Sequence, residues 1–167
     1  MSKLSVLKKF NPEQHFFTDP FPHVVIRNCL DDDIYQRLYE NFPVKLIKDN
    51  FNIIQEHTYR CLANDVLVEK KIPVHPIWQE FFEYHTSQDY FKTVIKLFEK
   101  YMPNYQWLEQ QTARIRNTQG DTKVVTDTQF VVHQPYHTTT RTTHIDNPIE
   151  FYAGLLYFRQ RGDRSSG

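Results

Sequence analysis

A histidine and an aspartate separated by one residue, His144 and Asp146, are the pair in this sequence best suited to metal chemistry. Side chains two positions apart on a β-strand share a face, because successive side chains alternate between faces. The imidazole and the carboxylate would then converge, while Ile145 faces the other way. They are two of the three ligands of the 2-His-1-carboxylate set, which holds Fe(II) and leaves positions open for co-substrates. The spacing therefore predicts part of a metal site.

The same tripeptide also has a purely structural interpretation, which stays open at this point. His144 can bond a neighbouring strand, and Asp146 can cap the turn that Asn147-Pro148 indicates. A His-x-Asp pattern also arises by chance in a chain with this many histidines and aspartates, so the motif needs context.

A second histidine pair, His133 and His137, has a spacing that suits zinc on a helix. Pro135 and the β-branched neighbours disfavour a helix there, so the spacing of the two histidines does not indicate a zinc site. A cupin-like arrangement, in which either histidine reaches a metal beside the His-x-Asp pair, is the alternative. Otherwise both histidines lie at a strand end or in a turn.

The elements that must position these residues are predicted to be strands. Residues 112–117 and 123–132 flank the turn-like residues 118–121 and predict a β-hairpin. Residues 138–146 and 151–159 predict two further strands. Four β-rich segments in about fifty residues are typical of the start of an antiparallel sandwich or barrel.

The first part of the chain is richer in predicted helices. Residues 21–30, an apolar run after two prolines, predict a strand. Asp31-Asp32 can then cap a helix that ends at Pro43.

The middle of the chain contains weak β-character at residues 66–68, followed by two clearer helix signals. Pro76 can begin a second helix, since proline is favoured at the first helical position. Ser87 can cap a third helix, whose apolar residues recur at helical spacing and predict a core-facing stripe.

Composition excludes several classes of protein. The 20 Lys and Arg residues balance 20 Asp and Glu residues, so no overall basic field favours nucleic acid or an anionic membrane. No apolar run approaches the roughly 20 residues of a transmembrane helix, and the N-terminus lacks the apolar stretch of a secretory signal. The two cysteines have no metal or redox spacing. We therefore expect a reduced, cytoplasmic protein.

The segment THIDNPIEFYAGLLYF, residues 143–158, resembles the iron- and 2-oxoglutarate-dependent oxygenases, particularly their prolyl-hydroxylase-like branch. In that family a strand ends in His-x-Asp, a short turn with proline follows, and the next strand has a pattern similar to AGLLYF. The segment DPFPHVVIRNCLDDDIYQRLYENFP, residues 19–43, is similar to the strand, acidic cap and helix with which many members begin. The specific resemblance covers about forty residues near the end of the chain, the first part gives weaker support, and the middle is unassigned.

The resemblance implies an α+β fold, with N-terminal helices packed on a double-stranded β-helix, or jelly roll. We expect a single domain over residues 1–167, with a helix-rich support region over about 1–106 and the first part of the jelly roll over about 107–167. The resemblance also implies Fe(II), with 2-oxoglutarate and O2 as co-substrates, and a small-molecule or peptide substrate. His144 and Asp146 match the first two iron ligands of the family.

The sequence departs from the family pattern after Asp146. The family has a distal histidine as third ligand and a basic residue that clamps 2-oxoglutarate, but residues 147–167 contain no histidine. The resemblance therefore implies an incomplete, truncated oxygenase with weaker iron binding and doubtful turnover. Tyr136 and Arg141 are the nearest groups that could contact a bound 2-oxo acid, although exposed sheet positions explain them equally well.

Two further expectations follow from an incomplete jelly roll. Open sheet edges and apolar faces are normally covered in folded proteins, so we expect self-association of the chain. The alternative function is a non-catalytic jelly-roll or cupin-like binding or assembly domain, in which the metal pair is vestigial.

Overall fold

The computed structural model describes residues 2–53, 58–121, 123–133 and 149–158 of the chain. The chain forms two units, residues 1–134 and residues 135–167. Within the described residues the first unit contains helices α1 (Pro12–His15), α2 (Asp32–Glu40), α3 (Val44–Asn50), α4 (Ala63–Leu67), α5 (Pro76–His85), α6 (Gln88–Leu97) and α7 (Tyr105–Glu109). Its strands are β1 (Phe16–Phe17), β2 (His23–Val24), β3 (Thr58–Leu62), β4 (Ala113–Ile115), β5 (Val124–Thr126) and β6 (Gln129–His133).

The strands in the described ranges form three separate pairs. β1 pairs with β2 and β3 pairs with β6, both antiparallel, and β4 pairs with β5 in parallel. The helices and these small sheets make an α+β mixture, and the pairs do not join into a barrel within that part of the chain. The residues predicted to continue the sheet, 138–146, lie outside the described residues. The jelly roll therefore stays a prediction.

The three helices predicted from caps and periodicity are confirmed. α2 begins directly after Asp31, whose carboxylate pairs with Lys8 and Lys9 and makes no cap hydrogen bond. Pro76 occupies the first turn of α5. Ser87 precedes α6, and its hydroxyl oxygen accepts a hydrogen bond from the Tyr90 N–H at 3.2 Å.

An aromatic core joins α5 to β6. Phe130 of β6 lies 4.5 Å from Phe82 and 4.8 Å from Trp78, measured between ring centroids. The Trp78 indole N–H donates to the carbonyl oxygen of Leu38 at 3.0 Å, so its polar group is satisfied inside the core. Phe130 and Val132 alternate with more exposed neighbours along the strand. β6 is therefore fixed on the helices by one face.

The predicted β-hairpin of the C-terminal third is wrong, because β4 and β5 run in parallel. Ala113 lies opposite Val124, and the two strands continue in the same direction. After β4 the chain turns back on itself, where the Thr118 hydroxyl donates to the carbonyl oxygen of Ile115 at 2.7 Å. The buried Thr126 hydroxyl donates to the carbonyl oxygen of Thr86 at 2.9 Å. β5 is thus positioned by its contact with the end of α5, which lies far away in sequence.

Three other strand predictions also need correction. Residues 66–68 include the end of α4, since Asp65 and the neighbouring backbone bonds support a short helix there. Of residues 21–30 only His23–Val24 form a strand. Residues 151–158 form no strand in the structure, and their predicted partner segment lies outside the described residues.

Candidate functional site

The residues predicted to bind metal and co-substrate lie outside the described residues. They are the iron-ligand candidates His144 and Asp146, the co-substrate candidates Tyr136 and Arg141, and the alternative ligand His137. Their assignment stays a prediction.

His133, the other alternative metal ligand, lies within the described residues. It is the last residue of β6, it is exposed, and it lies opposite Thr58 of β3. The His133 Nδ1 atom is 3.5 Å from the Thr58 hydroxyl oxygen. Because the side chains of β6 alternate, His133 lies on the face opposite to the core residue Phe130. An exposed imidazole at a strand end is chemically free to bind a ligand through its other nitrogen.

Two carboxylates surround the beginning of α4. An Asp65 oxygen accepts the Leu62 N–H at 3.0 Å, and its other oxygen pairs with the Lys70 ammonium at 2.9 Å. An Asp127 oxygen accepts the Ala63 N–H at 3.4 Å. The first N–H groups of a helix have no partners within the helix, and carboxylates favour that end. Both aspartates therefore stabilise the start of α4.

The Asp127 carboxyl group has a pKa that is raised by burial. Its second oxygen is buried and has no hydrogen-bond partner among the residues that the structure describes, and the guanidinium of Arg116 lies 3.9 Å away. Burial raises the pKa of Asp127 above its ordinary value, although the Ala63 N–H and the charge of Arg116 lower it. The carboxylate is held there at a cost in solvation, which its contact with α4 offsets in part.

Cys61 lies beside this acidic pair. Burial, together with the charges of Asp65 and Asp127, raises the pKa of the Cys61 thiol to about 12. A thiol acts as nucleophile or metal ligand in its thiolate form, which is scarce at such a pKa. We therefore interpret the cluster of Cys61, Asp65 and Asp127 as a part of the fold and not as a site of catalysis or metal binding. Within the described ranges no three His, Cys, Asp or Glu side chains are grouped so that they could hold a metal ion.

His85 is a buried imidazole at the end of α5. Its Nδ1–H donates to the Phe81 carbonyl oxygen at 2.7 Å, and its Nε2 accepts the Val6 N–H at 3.4 Å. Burial lowers the pKa of His85 to about 4, and the bond to Phe81 opposes that shift. Both nitrogens have backbone partners, so the ring is a neutral core residue with no free position for chemistry.

Sequence reasoning did not single out Asp65, Asp127 or His85. An acidic residue at the third position of a helix is a recognisable signal, and it could have indicated the role of Asp65. Asp127 lies far from α4 along the chain, and His85 carries no pattern that separates it from a surface histidine.

No protein-family model, no curated protein and no solved structure matches this chain. In the part of the chain that the structure describes, no helix is long and apolar enough to cross a membrane.

Proposed function

We propose that this chain carries two ligands of an Fe(II) centre in a 2-oxoglutarate-dependent oxygenase. The observation that supports it is the sequence of residues 143–158, in which His-x-Asp ends a predicted strand before a proline turn. Imidazole nitrogen and carboxylate oxygen are donors that suit Fe(II). The iron would couple two reactions of O2. One oxygen atom would go into succinate as 2-oxoglutarate loses CO2, and the other would hydroxylate a C–H bond of the substrate.

The residues of this chain would bind and orient the reactants. His144 would bind as neutral imidazole and Asp146 as carboxylate, so Fe(II) binding should weaken as the pH falls and the imidazole is protonated. Tyr136 and Arg141 are the candidates for contact with the bound 2-oxo acid, since a guanidinium pairs well with a carboxylate.

The test is an anaerobic titration of the chain with Fe(II) and 2-oxoglutarate, followed by the visible metal-to-ligand charge-transfer band. We expect His144→Ala and Asp146→Ala each to weaken Fe(II) binding about tenfold or more, because each removes a ligand. Asp121→Ala, which removes an exposed carboxylate, is the matched control and should leave binding unchanged.

Two further variants separate the oxygenase site from the cupin-like arrangement. If His133→Ala or His137→Ala weakens Fe(II) binding as much as His144→Ala does, that histidine belongs to the metal site. If neither His144→Ala nor Asp146→Ala changes Fe(II) binding, the proposed centre is wrong.

A second candidate function, an assembly domain, is favoured by the exposed apolar residues of the second unit. Leu155 is 79% exposed and Tyr157 is 73% exposed, on a segment whose odd-numbered residues face solvent. Such a stripe is typical of a surface that another chain covers. We propose a second copy of this chain, which can pair the same segment symmetrically. Sedimentation velocity should show a dimer that Leu155→Lys converts to a monomer, whereas a monodisperse monomer of the unaltered chain would contradict self-association.

A further inference from the structure

A groove of about 360 Å³ lies beside the β1–β2 ribbon, far in sequence from the proposed iron ligands. Its volume is within the range of small-molecule sites, about 300–1,000 Å³. It is lined by Gln14, His15, Phe17, His23, Val25 and Arg27. The lining combines one guanidinium, two imidazoles and an amide with two apolar side chains, and it contains no acidic residue.

The backbone holds the groove residues in fixed positions. Phe17 on β1 lies directly opposite His23 on β2. The Val25 N–H donates to the carbonyl oxygen of His15 at 3.0 Å, which ties the end of α1 to the chain after β2. The rings of Phe17 and His23 stack, with centroids 5.3 Å apart and planes 22° apart. The part of the groove formed by the ribbon is therefore in place before any ligand arrives, which lowers the entropic cost of binding.

The partners of the two imidazoles determine which nitrogen carries the proton. The Asn11 N–H donates to His15 Nδ1 at 2.9 Å, so the proton of the neutral His15 ring is on Nε2. His23 Nδ1 lies 2.8 Å from the Phe21 carbonyl oxygen, which can only accept, so that nitrogen carries the proton. His15 thus has an N–H group that no backbone acceptor uses within the described residues.

Arg27 supplies a positive charge that no described acidic side chain neutralises. It is exposed, and within the described ranges it makes no ion pair or hydrogen bond. The carboxylate of Asp31, four residues further along the chain, is already paired with Lys8 and Lys9. The groove therefore combines an unpaired guanidinium and an imidazole donor with the apolar surfaces of Phe17 and Val25.

We propose that this groove binds a small organic carboxylate with an apolar or aromatic carbon skeleton. The guanidinium of Arg27 pairs with the carboxylate, since the two groups match in charge and in planar geometry. The Nε2–H of His15 donates to the same anion. The hydrocarbon part packs against Phe17 and Val25, which a purely inorganic anion would leave exposed.

The test follows benzoate binding by amide chemical shifts of the isotopically labelled full chain. Benzoate should shift the amides of His15, Phe17 and Arg27, and benzamide, which has the same shape without the charge, should bind at least about tenfold more weakly. Arg27→Gln should weaken benzoate binding by about tenfold as well. Arg37→Gln, which changes an exposed arginine on α2, is the matched control.

Two further measurements keep the result interpretable. Phe17→Leu should weaken benzoate binding, because it removes the aromatic wall, and inorganic phosphate should bind more weakly than benzoate. Equal binding of benzoate and benzamide, equal effects of Arg27→Gln and Arg37→Gln, or the absence of any benzoate shift would each overturn the proposal. Asp146→Ala should leave benzoate binding unchanged, which separates this site from the proposed iron centre.

Discussion

The aromatic core around α5 and β6 and the β1–β2 ribbon contain similar residues in opposite environments. Phe82 of the core is 1% exposed, whereas Phe21 beside the ribbon is 62% exposed. Each region also contains a histidine in contact with aromatic rings. His85 is buried and both its nitrogens have backbone partners, whereas His23 is half-buried and bonds through Nδ1 to one carbonyl. Burial, and not residue type, separates a core histidine from one that can meet a ligand.

The largest expected difference between the two regions is in the free energy of unfolding. Phe82→Ala should lower it by about 4 kcal/mol, because it removes a buried ring and leaves a cavity beside Trp78 and Phe130. Phe21→Ala should change it by less than about 0.5 kcal/mol, since most of this side chain is already exposed to solvent. Urea unfolding followed by circular dichroism measures both. Similar losses in the two variants would remove the distinction between core and ribbon.

The second difference is in pH dependence. In the unfolded chain His85 is protonated below its ordinary pKa of 6.5. In the folded chain it is protonated only below its lowered pKa of about 4. The folded state therefore loses stability as the pH falls between these values, by about 3 kcal/mol in total at about 1.4 kcal/mol per pH unit. The rings of Phe81, Tyr84 and Tyr90 pack against His85, and burial is the main cause of its lowered pKa.

Variants of the two histidines test this assignment. The free energy of unfolding of His85→Gln should depend less steeply on pH between 6.5 and 4 than that of the unaltered chain. His23→Gln is the matched control and should keep the original slope. If the slope survives in His85→Gln, another group is responsible for the acid sensitivity.

The smallest expected effect concerns Asp127, whose side chain is only 11% exposed, compared with the exposed Asp121. Asp127→Ala should cost about 1–2 kcal/mol, because the Ala63 N–H loses its acceptor. Asp127→Asn keeps an acceptor oxygen and removes a buried charge, so it should cost less. Asp121→Ala should have no measurable effect. Thermal unfolding ranks the three variants, and an equal loss in Asp127→Asn and Asp127→Ala would show that the charge itself is needed.

The elements that could be predicted from the sequence are those with local causes. α2, α5 and α6 follow from an acidic residue, a proline or a serine at the helix start and from apolar residues at helical spacing. The hairpin prediction was wrong because the direction of β5 and the partner of β6 depend on contacts with residues far away in sequence. β6 pairs with β3, and β5 is held by the Thr126 hydroxyl on the end of α5. No turn signal carries that information.

Prediction of the two candidate sites from the sequence is limited in the same way. His144 and Asp146 could be selected because the chemistry of His-x-Asp depends on spacing within one strand. The groove residues could not, because His15 ends α1, His23 lies on β2 and Arg27 follows β2, and only the pairing of β1 with β2 brings these segments together. Whether Arg27 has an ion-pair partner likewise depends on the folded chain, and its neighbours in sequence do not predict it.

The environment of Cys61 has a practical consequence for measuring the opening of the protein. Its thiol is fully buried and stays protonated in the folded chain, so an alkylating reagent should reach it only when β3 separates from β6. Cys29 is only half-buried and should react first. The difference between the labelling rates of Cys29 and Cys61 therefore reports how often the β3–β6 pair opens, and the measurement needs no introduced probe.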